Sequence, residues 1–279
     1  MVACLPLLLC IFISCRKDAK LVPDQLPDFY TLPQGNQPYD DTIMAFHKQY
    51  GSYILYKFTN QDFIYNYNTN LSATTTNANP AWIKNTIAYF KAECLSYYPE
   101  SFLQKTMPFR IFLAASIDTF MNTTAGSMPV TRAVSGFTAT RGGMGIGWTD
   151  STLLEQLPAR RKELRGFMHR SYVEQAILSG AMVVPAEFIK YKPGSYDYVS
   201  VGGGGLIENP SSLFINGSVT WDFVCFVNAI TSHTKEELDA TILNPAFDTM
   251  GKVALKYDVV IGFFKNTYGI DLQAIGNHP

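Results

Sequence analysis

Residues 158–178 read PARRKELRGFMHRSYVEQAIL, and this stretch decides the fold. Its buried-type residues recur every four positions, so they lie on one face of a helix of about six turns. They are Leu164, Met168, Tyr172 and Ala176. The opening Pro158 suits the first turn of a helix, where its missing N–H is not needed. We therefore expect a long helix from about Pro158 to Leu178, with one face in the core.

Segments typical of β-strands come before this helix. They are rich in aromatic and β-branched residues or glycine, as half-buried strands are. They are 52–58, 108–115, 130–140 and 143–148. Between the first two, the Asn- and Thr-rich stretch 66–79 predicts a turn-forming loop.

Most of the other predicted helices follow the long one. Helical patterns cover 219–230 and 246–268, and a capping box of Thr234 and Glu237 begins a short helix between them. Two further helices are predicted earlier in the chain, at 41–50 and 80–98, whereas the Gly- and Tyr-rich stretch 190–218 predicts loops. The order predicts an α+β fold: a small mixed sheet, then the long helix, then a helical C-terminal half.

The first fourteen residues, MVACLPLLLCIFIS, form an apolar run too short for a permanent span, which needs about 20 residues. The run ends in Phe12-Ile-Ser-Cys15, which resembles the lipobox of bacterial lipoproteins. That resemblance implies cleavage before Cys15 and a lipid on its sulfur. We expect a signal peptide at 1–14, a Pro-rich lipidated tether at 15–40 and a single domain at 41–279.

The net charge and the positions of the cysteines argue against a nucleic-acid partner and against a disulfide. A formal net charge of -1, without a cluster of Lys and Arg, argues against nucleic acid as a partner. Cys94 and Cys225 both fall on apolar helical faces. We therefore interpret them as two buried thiols rather than as a disulfide.

Of the four histidines, His169 alone lies inside the long helix. The order of segments around it resembles the substrate import-associated zinc metallohydrolase lipoproteins of Bacteroidetes, which are gluzincin-like. The resemblance covers most of residues 40–275 as scattered positions. It is carried by Tyr97–Ser101, Phe109–Ser116, Arg141–Gly147, Trp221–Cys225 and Tyr257–Leu272. It implies a zincin-like domain in which the long helix is the active-site helix.

In that family the helix carries His-Glu-x-x-His, whose two histidines reach one zinc while the Glu activates a bound water. Here those positions are His169, Arg170 and Val173. Arg170 cannot accept a proton, and Val173 has no lone pair. The third ligand of the family falls near Trp221–Cys225, where Asp222 is the remaining carboxylate. The resemblance therefore implies a degenerate site, with His169 as a possible metal ligand and Asp222 as a doubtful one.

The function expected from this resemblance is that of a catalytically inactive lipoprotein of the outer membrane, on its periplasmic or cell-surface side. It would serve as a binding or accessory component of nutrient import, beside a TonB-dependent importer and its substrate-binding lipoprotein. The expected ligand-binding residues are Arg170, Tyr172 and Asp222, and no cofactor is expected.

Two alternatives stay open. One is an active metallohydrolase with a non-standard zinc site, built from His169 with Asp222, Cys225, Glu174 or His233. The other is a purely structural subunit of the import complex.

Overall fold

The computed structural model describes residues 29–66, 69–70, 73–123, 126–130, 136–196, 199–209 and 217–279. The chain divides into two compact units, residues 1–31 and 32–279. The predicted signal peptide, Cys15 and the tether as far as residue 28 lie outside the described residues. All helices and strands named below belong to the second unit.

Strands concentrate in the first half of the chain. They are β1 (Tyr53–Leu55), β2 (Tyr65–Asn66), β3 (Thr69–Asn70), β4 (Ala73–Asn77), β5 (Arg110–Thr123), β6 (Gly126–Val130), β7 (Phe137–Thr140) and β8 (Gly143–Ile146). The helices are α1 (Asp40–Tyr50), α2 (Asn60–Ile64), α3 (Ile83–Glu93), α4 (Glu100–Thr106), α5 (Pro158–Leu178), α6 (Ala186–Lys190), α7 (Val219–Ser232), α8 (Lys235–Ala240), α9 (Lys252–Tyr268) and α10 (Leu272–Asn277).

Strand β5 is the centre of a six-stranded mixed sheet. Its first half pairs in parallel with β1 on one side and β8 on the other, and β7 adds an antiparallel edge beside β8. Its second half pairs antiparallel with β4 and β6. The predicted small mixed sheet is therefore confirmed.

Helix α5 spans Pro158–Leu178, as predicted, and packs along α7. The predicted stripe from Leu164 to Ala176 is fully buried. At Gly166 the two helices meet so closely that a Cβ atom would lie 2.5 Å from Asn228 Oδ1 and 2.6 Å from Ser232 Cβ. The sheet, the long helix and the helical C-terminal half make an α+β domain, so the predicted fold class is confirmed.

Several predicted elements differ from the structure. The stretch 66–79 was predicted as a loop, but it contains β4, because its threonines find hydrogen-bonding partners in β5 some 40 residues away. The helix predicted to reach residue 98 ends at Glu93, where Cys94 leaves helical geometry and a 3₁₀ turn follows. The last long helix begins at Lys252 rather than near 246, after Gly251 in a left-handed conformation.

Part of the predicted tether packs onto the domain, since the second unit begins at Leu32. The Gln34 side-chain oxygen accepts hydrogen bonds from the backbone N–H groups of Tyr56 and Lys57, at 2.8 and 3.1 Å. Tyr39 is buried. Among the described residues, no helix combines the length and the apolar content needed to cross a bilayer.

Candidate functional site

The imidazole of His169 is completely buried on α5. Its Nε2 atom lies 3.0 Å from the carbonyl oxygen of Glu93, and its Nδ1 atom lies 2.6 Å from the hydroxyl oxygen of Tyr98. A carbonyl only accepts, so Nε2 carries the proton, and Nδ1 accepts the Tyr98 hydroxyl proton. Both nitrogens are therefore hydrogen-bonded within the protein, and no lone pair is left for a metal.

Burial also keeps this ring neutral. Desolvation lowers the pKa of His169 to about 3, and the positive charge of Arg165 acts in the same direction. The hydrogen bond to the Glu93 carbonyl opposes both effects. At neutral pH, His169 is thus an uncharged core residue that ties α5 to the end of α3 and the turn after it.

Arg170, the next residue along α5, forms an ion pair. Its Nη1 atom lies 3.0 Å from both carboxylate oxygens of Glu208, and the two side chains are partly exposed. Glu174 lies one helical turn further on, where burial raises the pKa of its carboxyl and the charge of Arg170 partly offsets that rise. The guanidinium of Arg170 is thus neutralised by a carboxylate of the same chain.

Val173 and Tyr172 belong to the core. Both are fully buried, and the Tyr172 hydroxyl lies 2.9 Å from Thr106 Oγ1. The Tyr172 ring stacks on Tyr98 at 5.4 Å between centroids. The expectation that Tyr172 contacts a ligand is therefore not met, because both its ring and its hydroxyl face protein on the α4 side of the helix.

Asp222, in the first turn of α7, forms a buried ion pair with Lys256 of α9. The atoms Oδ2 and Nζ are 2.6 Å apart, and both side chains are almost completely inaccessible. Tyr196 donates a hydrogen bond to the same carboxylate oxygen at 3.1 Å, and Lys256 also donates to the carbonyl of Gly205 at 2.8 Å. Asp222 thus helps to hold the loop containing Tyr196 and Gly205 against the helices.

Burial acts on the two members of this pair in opposite directions. It raises the pKa of Asp222 and lowers the pKa of Lys256, and in each case the partner's charge opposes the effect. The short contact and the second acceptor on Lys256 are what a buried pair needs to stay charged.

The two cysteines remaining in the domain are buried and unbridged, as predicted. Cys94 Sγ lies 3.9 Å from His169 Nδ1. Cys225 lies close enough to Arg170, Glu208 and Asp222 for their charges to act on its thiol, but burial raises its pKa well above the ordinary value. Neither sulfur is therefore a thiolate at neutral pH.

These residues do not fit a zinc ion. A zinc site needs three protein donors with free lone pairs. Here both His169 nitrogens are engaged, Asp222 is paired with an ammonium and Cys225 is protonated. No group of three His, Cys, Asp or Glu side chains in the described part of the chain is placed to hold a metal.

Sequence reasoning missed Tyr98, Glu93, Glu208 and Lys256, the partners of the residues it selected. The sequence pattern could have indicated Lys256, because this residue falls on the buried face of α9 with Val253, Val260 and Phe264. No sequence pattern could have indicated Glu208, since it lies in an irregular segment without periodicity. The structure brings both Arg170 and Asp222 near enough to Cys225 for their charges to act on its thiol, but it places His169 among other partners.

Comparisons with known proteins concern the fold. No protein-family profile matches the chain. A search of curated proteins also gives no match. Among solved structures, the chain is similar to a protein of Bacteroides caccae described as a proposed zinc-binding metallo-peptidase, with a TM-score of 0.51 and 13% sequence identity. The similarity covers 85% of this chain and 88% of that one. The two chains therefore share a fold.

Proposed function

We propose that this chain is a lipoprotein that keeps a zinc metallopeptidase-like fold without the zinc site, and that acts as a binding or accessory component of nutrient import at the outer membrane. The observation that carries the proposal is that all three motif positions are occupied by contacts within the protein. His169 is saturated by hydrogen bonds, Arg170 is paired with Glu208, and Val173 is in the core.

The Arg170–Glu208 pair sharpens the proposed binding role. An arginine in this place suits a carboxylate or phosphate ligand. Glu208 already supplies a carboxylate, so an external anion would have to displace it. The partial exposure of both side chains leaves the pair open to solvent. We infer that any ligand taken up here competes with Glu208.

Zinc content tests the proposal. The full chain would be incubated with equimolar zinc, desalted and analysed by mass spectrometry of the metal, beside His169→Ala and the exposed-histidine control His233→Ala. We expect much less than one zinc per chain in all three proteins. Stoichiometric zinc in the wild type that is lost in His169→Ala, but kept in His233→Ala, would support the metallohydrolase alternative and overturn the proposal.

The import role has a test of its own. If it is correct, the genes next to this one encode an outer-membrane importer and a solute-binding lipoprotein, and the chain co-purifies with them from membranes. A gene neighbourhood without transport components, together with a chain that purifies alone, would contradict the import role and leave the zinc result unaffected.

A further inference from the structure

A cavity of about 360 Å³ lies beside the end of β1, and its lining residues are distant in sequence from α5. Its walls are formed by the segment before α1, the residues after β1 and the end of β4. None of its lining residues belongs to α5 or to the loop that carries Glu208. Its volume falls within the range of small-molecule sites.

Aromatic rings form part of the lining of this cavity. Tyr39 and Tyr56 meet edge to face at 5.2 Å between centroids, and Phe58 continues the wall. The Tyr56 hydroxyl donates to Asp40 Oδ1 at 2.8 Å, which fixes the orientation of the ring. Rings held in this way offer a rigid apolar surface to a ligand.

Polar groups also line this cavity. Gln37 and Asn77 line the cavity, and their side-chain amides make no hydrogen bond within the described residues. Both side chains are exposed. By contrast, Gln34, in the same segment as Gln37, uses both ends of its amide on the backbone around Lys57. Each free amide can donate and accept at once, as a ligand hydroxyl requires.

The local charges favour a neutral ligand. Lys57 lines the cavity, but its Nζ atom donates to the Gln34 carbonyl at 2.8 Å. The carboxylate of Asp40 accepts hydrogen bonds from two residues that line the cavity, the Tyr56 hydroxyl at 2.8 Å and the Gln37 N–H at 2.9 Å. One cation and one anion thus flank the cavity, and an ionic ligand would be attracted by one and repelled by the other.

We propose that this cavity binds a single sugar ring, with its C–H face on Tyr56 and Phe58 and its hydroxyl groups on the amides of Gln37 and Asn77. An apolar face and a rim of paired donors and acceptors are combined in a sugar ring. The inference goes beyond the proposed function, and the zinc test and this one can fail independently.

Binding of free sugars to the full chain tests the proposal. Glucose, galactose, mannose and N-acetylglucosamine would be titrated by calorimetry and saturation-transfer NMR, with glycerol as a control that has hydroxyls without a ring. We expect at least one sugar to bind with a Kd of about 1 mM, and glycerol to bind far more weakly. A trisaccharide of the best sugar that binds more tightly indicates a chain end as the natural ligand, whereas equal binding indicates the free sugar.

Substitutions locate the site. Gln37→Ala and Asn77→Ala should each weaken binding about fivefold, because each removes a hydrogen bond to the ligand. The exposed Gln61→Ala, outside the cavity, should bind as the wild type does. Equal thermal midpoints show that all variants are folded. The proposal is overturned if no sugar binds below about 20 mM, if glycerol binds as well as the sugars, or if both cavity variants bind normally.

Discussion

Both nitrogens of the His169 ring make hydrogen bonds inside the protein, and their partners lie more than 70 positions earlier in the chain. The sequence could predict that His169 lies on a helix. It could not predict Tyr98 or Glu93 as partners, because the contact arises from the packing of α3 and its following turn on α5. The function of a histidine at a motif position can therefore be judged only when the hydrogen-bond partners of both ring nitrogens are known.

The neutral state of His169 predicts a loss of stability in acid. Its pKa is about 3 in the folded chain, against an ordinary value of 6.5, so below pH 6.5 the unfolded chain binds a proton that the folded chain does not. The free energy of unfolding should fall by about 2 kcal/mol between pH 7 and pH 5 from this group alone. The stabilisation is complete above pH 6.5.

Urea unfolding at a series of pH values measures this effect. His169→Gln, whose amide can serve both partners without titrating, should lose this part of the pH dependence, while the exposed-histidine variant His233→Gln should keep it. Identical pH profiles for wild type and His169→Gln would show that the buried ring does not stay neutral.

At the scale of elements, local pattern was sufficient where an element buries a regular stripe. Helix α5 was predicted with its correct bounds because four-residue spacing and Pro158 agree. Strand β4 was missed because Asn and Thr favour turns locally, and only the long-range pairing with β5 makes them a strand. The close approach of α5 to α7 at Gly166 could not be predicted either, since a single glycine in a helix does not form a recurring pattern.

The close contact of α5 and α7 at Gly166 predicts that alanine substitution has opposite effects on stability at two helical glycines. Gly166→Ala places a methyl group against Asn228 and Ser232, so it should destabilise the domain by about 1–3 kcal/mol despite the better helix propensity of alanine. In Gly262→Ala on α9, the added Cβ meets only Asn266 Nδ2, at 3.9 Å, so this variant should be up to about 1 kcal/mol more stable. Thermal or urea unfolding of the pair would measure both, and equal effects would contradict the proposed close packing.

For the whole molecule, the order of predicted segments indicated one α+β domain after an N-terminal leader and tether. The compact unit begins at Leu32, earlier than the prolines suggested, because Gln34 and Tyr39 attach this stretch to the domain. The loop that carries Glu208 could not be placed from the sequence, since buried contacts from Lys256 and Asp222 hold it, rather than any propensity of its own.

The proposed anchor predicts the location of the full chain in cells. In a Gram-negative host, the wild type should fractionate with membranes and incorporate labelled fatty acid, because a lipid on Cys15 would hold it there. Cys15→Ser should abolish labelling, whereas Cys10→Ser, within the apolar run, should leave it unchanged. Labelling that survives in Cys15→Ser would exclude this cysteine as the site of lipidation.

Strand β5 is shared by four other strands, two that precede it and two that follow it. During synthesis or export the sheet cannot be completed until residue 146, the end of β8, has emerged, and β1 and β4 both emerge before β5, the strand with which they pair. Pairing over such separations is entropically slow. The last strand to join β5, rather than β5 itself, therefore sets the earliest moment at which a growing or translocating chain can complete its sheet.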